Sequence, residues 1–246
     1  MNEFLGDLRR FAWNAGAEAA AGMVLDRAEI SHVPVDLTRI ARLWPGLRIS
    51  VDDIDGAGYL VVLDDSRAEI LLRQGDSVRR RRFTLAHEFG HWVIGKSHST
   101  SARALEPAGK RVPSEVDEVE RWCDRFATSL LMPTRHISIL RREVAGSPKR
   151  LAVAIASMPD RFDVSAETAY IRAWETLNIR GLLVRSRSRT IIERYRGEVG
   201  NDELASFRSL AGTRIADTIA IVSSRRDVGY ATLQGRDHRV FVLMPR

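Results

Sequence analysis

Ser77 to Gly95 reads SVRRRRFTLAHEFGHWVIG, and the reading of this stretch decides the fold of the part of the chain that carries chemistry. Phe83, Ala86, Phe89, Val93 and Ile94 recur at helical spacing, which predicts an amphipathic helix with one apolar face. Within it, His87-Glu88-Phe89-Gly90-His91 forms the pattern HExxH. Residues four apart on a helix lie on one face about one turn apart, so the imidazoles of His87 and His91 can converge on one ion. Glu88 then stands beside the ion's open side, where a carboxylate can take a proton from water. Gly90 supplies the small residue that lets another element approach the ligand face.

Two histidines do not complete a catalytic zinc site, which needs a third protein ligand and an open fourth position. Residues 97 to 114 are rich in small and polar residues and read as a loop, after which Ser114 is placed to cap a further helix. The stripe of that helix is Val116, Val119, Cys123, Phe126 and Leu130, and Met132-Pro133 ends it. It offers Glu115, Asp117, Glu118 and Glu120 as ligands. Early acidic residues commonly serve the helix dipole, the plain reading of Asp117 and Glu118. Glu120 is preferred, because Asp124 stands one turn further on, able to hydrogen-bond a ligating histidine from behind. Zn²⁺ on His87, His91 and Glu120 would bring the pKa of water down towards about 7, with Glu88 as acceptor and later donor of the proton. Tyr59, His98 and His136 are candidates for a second electrophile at the oxyanion; their plainer readings are sheet packing for the tyrosine and solvated polar residues for the histidines.

Upstream, Phe4, Leu5, Leu8 and Phe11, followed by the alanine-rich run to Ala21, predict one or two helices over residues 3 to 30. Asp36 caps a second helical run, Leu37, Ile40, Ala41 and Trp44, which Pro45 and Gly46 stop. Leu47 to Val51, Tyr59 to Leu63 and Ala68 to Leu72 predict a small sheet, with Glu69 to Leu72 as an edge strand to which a substrate segment could add. Arg79 to Arg82 read as a solvated loop with one arginine tied to an acidic neighbour such as Asp64 or Asp65. Downstream, residues 136 to 178 are helical, with a second helix from about Ser165 to Leu177, either a helix-turn-helix or a plain hairpin. Beyond Ile179, strands are predicted at Leu182 to Val184, Ile191 to Tyr195, Ile219 to Val222, Tyr230 to Leu233 and Val240 to Leu243, with a helix near Asp202 to Leu210.

The 246 residues include 44% hydrophobic residues and one cysteine, enough apolar content for a proper core and too little sulfur for a disulfide scaffold. An unpartnered Cys123 and the absence of a signal-like or membrane-spanning apolar run lead to the expectation of a cytoplasmic protein with no membrane partner. The charge is uneven: residues 1–140 carry 19 basic and 20 acidic side chains, residues 141–246 carry 19 and 12. DNA or an acidic protein is therefore a candidate partner for the basic C-terminal part.

Three runs carry a resemblance. RFTLAHEFGHWVIG, ERWCDRFATSLLMP and PVDLTRIARLWPGLRISV resemble the ImmA/IrrE family of zinc metallopeptidases, over roughly residues 28 to 133. In that family the third ligand is the glutamate opening a segment ExxANxFAxxLLMP. Glu120 occupies that place, and Phe126, Ala127, Leu130, Leu131, Met132 and Pro133 also match. Cys123 replaces the usual alanine and Asp124 the usual asparagine. FDVSAETAYIRAWETL is similar to the family's helical segment after the peptidase part. The resemblance implies an α+β, zincin-like fold and a selective protease that cuts or inactivates a helix-turn-helix repressor, switching on stress-response or mobile-element genes. It also implies the division 1–140 metallopeptidase domain, 141–178 helix-turn-helix-like segment, and 179–246 small α/β unit with a regulatory or sensor role. The competing expectation is a non-proteolytic DNA- or protein-binding regulator whose zinc site is structural.

Overall fold

In the computed structural model, which describes residues 3–95, 115–143, 147–177, 180–187, 190–195, 228–232 and 238–243, strong helix formers build α1 (Glu3–Ala15) and α2 (Ala17–Arg27). They part at Gly16, whose φ of +87° is in the left-handed region that glycine tolerates. Asp36 caps α3 (Leu37–Ala41) by accepting from the Thr38 N–H at 2.9 Å and the Arg39 N–H at 3.2 Å. The described residues fall into two units, Met1–Pro133 and Thr134–Arg246, in a mixed α+β arrangement.

The first unit holds a sheet of β1 (Leu47–Asp52), β2 (Gly58–Val62) and β3 (Ala68–Arg73) in the order β1-β3-β2. β1 runs parallel and β2 antiparallel to β3. This corrects the expectation for Glu69 to Leu72: β3 is the central strand, its backbone groups are spoken for on both sides, and β1 and β2 are the edges. Arg73 N–H donates to Ala57 C=O and Leu63 N–H to Arg67 C=O, so in this register the odd-numbered residues of β2 hold the ladder. Gly58, Leu60 and Val62 therefore turn their N–H and C=O groups to the open edge. Leu60, Ala68, Ile70 and Leu72 are buried on the one sheet face, and α4 (Val78–Ile94) packs against β2 and β3.

α4 begins where Ser77 accepts from the Arg80 N–H and ends at Gly95, at φ +67°. The arginine run lies on its first turns, where neither Asp64 nor Asp65 is the neutralising partner. Arg80 pairs with Asp76 at 3.2 Å, Arg81 donates to the Gln74 carbonyl and Arg82 to the Val35 carbonyl, while Asp64 is held by Arg67. α5 (Glu115–Leu131) packs along α4 at Gly90, where an added Cβ would stand 3.2 Å from the Cα, Cβ and Sγ of Cys123. The N-terminal helices brace both: α2 packs on α5 and α1 on α4. Arg9 of α1 donates to the Trp92 carbonyl at 3.3 Å, and Trp13 stacks on Trp122 of α5 at 6.2 Å.

In the second unit, α6 (Thr134–Glu143), α7 (Pro148–Phe162) and α8 (Ala166–Leu177) are followed by a sheet. Its strands are β4 (Arg180–Arg187), β5 (Thr190–Tyr195), β6 (Val228–Thr232) and β7 (His238–Leu243), antiparallel in the order β5-β4-β7-β6. Ser147 caps α7, with Pro148 in its first turn. Buried Arg172 of α8 donates to the Thr134 hydroxyl of α6 at 2.9 Å. The expected loop over 97–114, the Ser114 cap, the helix near Asp202 to Leu210 and the strand Ile219 to Val222 lie outside the described residues. No helix among the described residues is long and apolar enough to cross a membrane.

Gly90→Ala is expected to lose about 1–3 kcal/mol of stability, because the new methyl meets Cys123 backbone that cannot step aside, although alanine is the better helix former. A lower urea midpoint at unchanged m-value is the readout.

Candidate metal centre

His87 and His91 sit one turn apart on α4, and their Nε2 atoms approach to 3.1 Å. Glu120 reaches them from α5, its carboxylate oxygens 3.4 Å from His87 Nε2 and 3.3 Å from His91 Nε2. Among the described residues these three form the one group of His, Cys, Asp or Glu able to hold a metal ion. Four ligands set tetrahedrally about 2.0–2.1 Å from an ion are about 3.3 Å from one another, so the donors already stand at the spacing that zinc requires. Two imidazoles and one carboxylate are also a donor set that zinc accepts.

Asp124, one turn beyond Glu120, is 2.9 Å from His87 Nδ1. An ionised carboxylate only accepts, so Nδ1 carries the proton and Nε2 faces His91 and Glu120. Burial works against a charge on His87, but its bonds to Asp124 and Glu120 and the charge of Glu88 outweigh that and raise its pKa to about 9. Burial alone would also lift the Glu120 carboxyl, yet the hydrogen bonds from His87 and His91 hold it well below the usual carboxylate range.

Glu88, only 3% exposed, behaves in the opposite way: burial pushes its pKa up, against the charges of the two histidines. Its carboxylate accepts from the Leu60 N–H of the β2 edge, while Oε2 is buried without a hydrogen-bond partner. β2 comes this close because position 58 is glycine. A Cβ there would lie 2.4 Å from Thr84 Cγ2 of α4 and 3.0 Å from the Leu71 carbonyl oxygen.

The chain thus brings together His87, Glu88, His91, Glu120 and Asp124. Tyr59 alternates with buried Leu60 and so occupies the other sheet face, its hydroxyl against Gly56, where an added Cβ would be 2.5 Å away. His136 lies on α6 in the second unit, and His98 lies outside the described residues. Cys123 is buried and its thiol pKa is pushed up by burial, which leaves it a neutral packing group beside Gly90. Leu60 and Gly58 escaped the sequence reading: the first acts through its backbone, which no side chain betrays, and the second is one of two glycines in Gly56-Ala57-Gly58.

Purified protein is expected to carry about one zinc per chain, lost in His87→Ala and in Glu120→Ala, as elemental analysis will show. Asp124→Ala should keep the three ligands but weaken zinc binding by about 10- to 100-fold in chelator competition. In protein stripped of metal, the raised His87 pKa stabilises the fold fully below the ordinary value of 6.5, and this contribution is lost as pH rises towards about 9. The urea midpoint of the stripped protein should fall over that window. Zinc affinity should climb across it, because the ion displaces the same proton.

A search of curated proteins finds no match. Among solved structures, a Mycobacterium tuberculosis transcriptional regulator is similar at 14% identity, over 98% of this chain and 80% of that one, with a TM-score of 0.47. The IrrE N-terminal-like domain, Peptidase_M78, matches residues 46–173, which takes in α4 with its two histidines and α5 with Glu120. The match spans more than half of the sequence and contains the whole donor cluster, and the chain accordingly belongs to this ImmA/IrrE family of peptidases.

Proposed function

We propose that the chain is a zinc-dependent, selective endopeptidase that cleaves a partner helix-turn-helix repressor and so derepresses stress-response or mobile-element genes. The observation that carries this reading is the convergence of His87, His91 and Glu120 beside a buried Glu88 with one unpartnered oxygen. His87, His91 and Glu120 would hold the ion, and Asp124 would orient His87. Bound there, zinc supplies a Lewis acid that acidifies water and polarises a carbonyl. Glu88 takes the proton of the attacking water on its free oxygen and returns it to the leaving amine, a shuttle that its raised pKa favours. The open edge of β2, with outward groups at Gly58 and Val62 and the outward carbonyl of Leu60, receives the substrate as an added strand, while the Leu60 N–H stays with Glu88.

A second reading has one observation in its favour. Lys149, Arg150 and Arg161 of α7 line an open groove of about 630 Å³, a suitable surface for phosphates or an acidic protein. α8 is a poor recognition helix, since its outer face carries Glu167, Ile171 and Glu175. We therefore keep residues 141–178 as an accessory segment and residues 179–246 as a regulatory or sensor unit. Absence of DNA binding at low salt would remove the DNA form of this reading.

Glu88→Gln should retain zinc and repressor binding and slow cleavage by a factor on the order of 10²–10⁴. An unchanged rate would overturn the role given to Glu88. Val62→Pro removes an outward N–H without touching the ladder, so it should raise KM for the repressor while leaving the fold intact.

A further inference from the structure

The two edge strands of the first sheet differ in what they carry. β1 includes Arg48 and Asp52, the kind of charge by which an edge strand discourages pairing with another chain. β2, Gly58-Tyr59-Leu60-Val61-Val62, holds no charged side chain. At its end Val61, Val62 and Leu63 are 42%, 48% and 61% exposed, the one run of consecutive exposed large apolar side chains among the described residues.

Within the described sheet, no large apolar side chain stands opposite this run. Val61 faces Glu69, whose carboxylate accepts from the Ser50 hydroxyl at 2.9 Å, and Val62 faces Ala68, which offers a methyl. Leu63 N–H donates to the Arg67 C=O at 3.0 Å, which keeps Leu63 in line with the strand. The outward N–H and C=O of Val62 therefore coincide with three uncovered apolar side chains. A stretch of that kind is a template for another strand, and the side chains of that strand must match it.

The direction of the added strand follows from α4. Thr84 lies beside Gly58, and Glu88, one turn on, accepts from the Leu60 N–H, so β2 runs alongside α4 in the same sense. An antiparallel strand, the more stable pairing per residue, enters beside Leu63 and passes Val62 and Val61 before it reaches the level of Glu88. Resting on the peptidase reading, we infer that Val61, Val62 and Leu63 select the substrate. They take an extended run of three apolar, β-branched residues on the N-terminal side of the bond to be cut.

The test is ¹⁵N NMR of the full-length Glu88→Gln protein with the peptide acetyl-Lys-Gly-Val-Val-Val-Gly-Lys-amide and its counterpart bearing three threonines in place of the valines. Threonine keeps the branched shape and the strand preference but exchanges a methyl for a hydroxyl, so the pair isolates apolarity. The valine peptide should shift the Val61, Val62 and Leu63 amides, saturating in roughly the millimolar range, and the threonine peptide should bind about 5- to 30-fold more weakly. Val61→Ser and Leu63→Ser, both at exposed positions, should each shrink that preference by about 2- to 5-fold. A nitroxide at the N-terminus of the valine peptide should broaden the Leu63 amide more than the Gly58 amide, and one at its C-terminus should do the reverse. An absent shift, equal binding of the two peptides or the opposite nitroxide pattern would overturn the proposal. So would broadening of the β2 signals with protein concentration alone, which would give the edge to a second copy. Binding is read without cleavage: loss of the valine preference overturns this inference alone, whereas wild-type protein that binds the peptide and cuts no repressor overturns the peptidase reading.

Discussion

The close approach of α4 and α5 at Gly90 and Cys123 is the constraint on which the rest of the first unit depends. A helix can offer two imidazoles one turn apart without help, but a third donor must come from elsewhere in the chain. Any side chain at position 90 would hold α5 away and move Glu120 with it. The buried faces of the same helices, with Phe89 and Val93 on one and Phe126 and Leu130 on the other, supply the apolar burial that holds the pair together. Core and centre are thus two faces of one helix pair.

Two carboxylates share the neighbourhood of the same histidines and are driven apart. Glu120 is partly exposed and hydrogen-bonded by both imidazoles, so it stays ionised, as a ligand must. Glu88 is almost wholly buried with one oxygen unmatched, so its affinity for a proton rises. Opposite shifts in adjacent groups are how one site separates a holder of metal from a carrier of protons.

Much of this was legible beforehand. The cap at Asp36 and the three strands follow from local chemistry, and the helical phase that sets Asp124 one turn from Glu120 falls as expected. Sheet order did not follow, because chain order puts β3 last while hydrogen bonding puts it in the middle. With β3 misplaced, the open edge was assigned to the wrong strand, and the Leu60 N–H could not be connected with Glu88. In the arginine run one side chain does pair with an acidic neighbour, Asp76, but the run is helical, and the partners of Arg81 and Arg82 are the backbone carbonyls of Gln74 and Val35, which composition does not reveal.

Arg9 and Trp13 precede residue 46, where the match to the family's domain begins, yet one donates to the last turn of α4 and the other stacks on α5. Recognisable ancestry and cooperative folding therefore have different borders in this protein. A fragment trimmed to the aligned region would bare the side of α5 that α2 covers and leave the Trp92 carbonyl with the Gly95 N–H but without Arg9. Expression boundaries drawn from similarity alone would discard the struts and keep the roof.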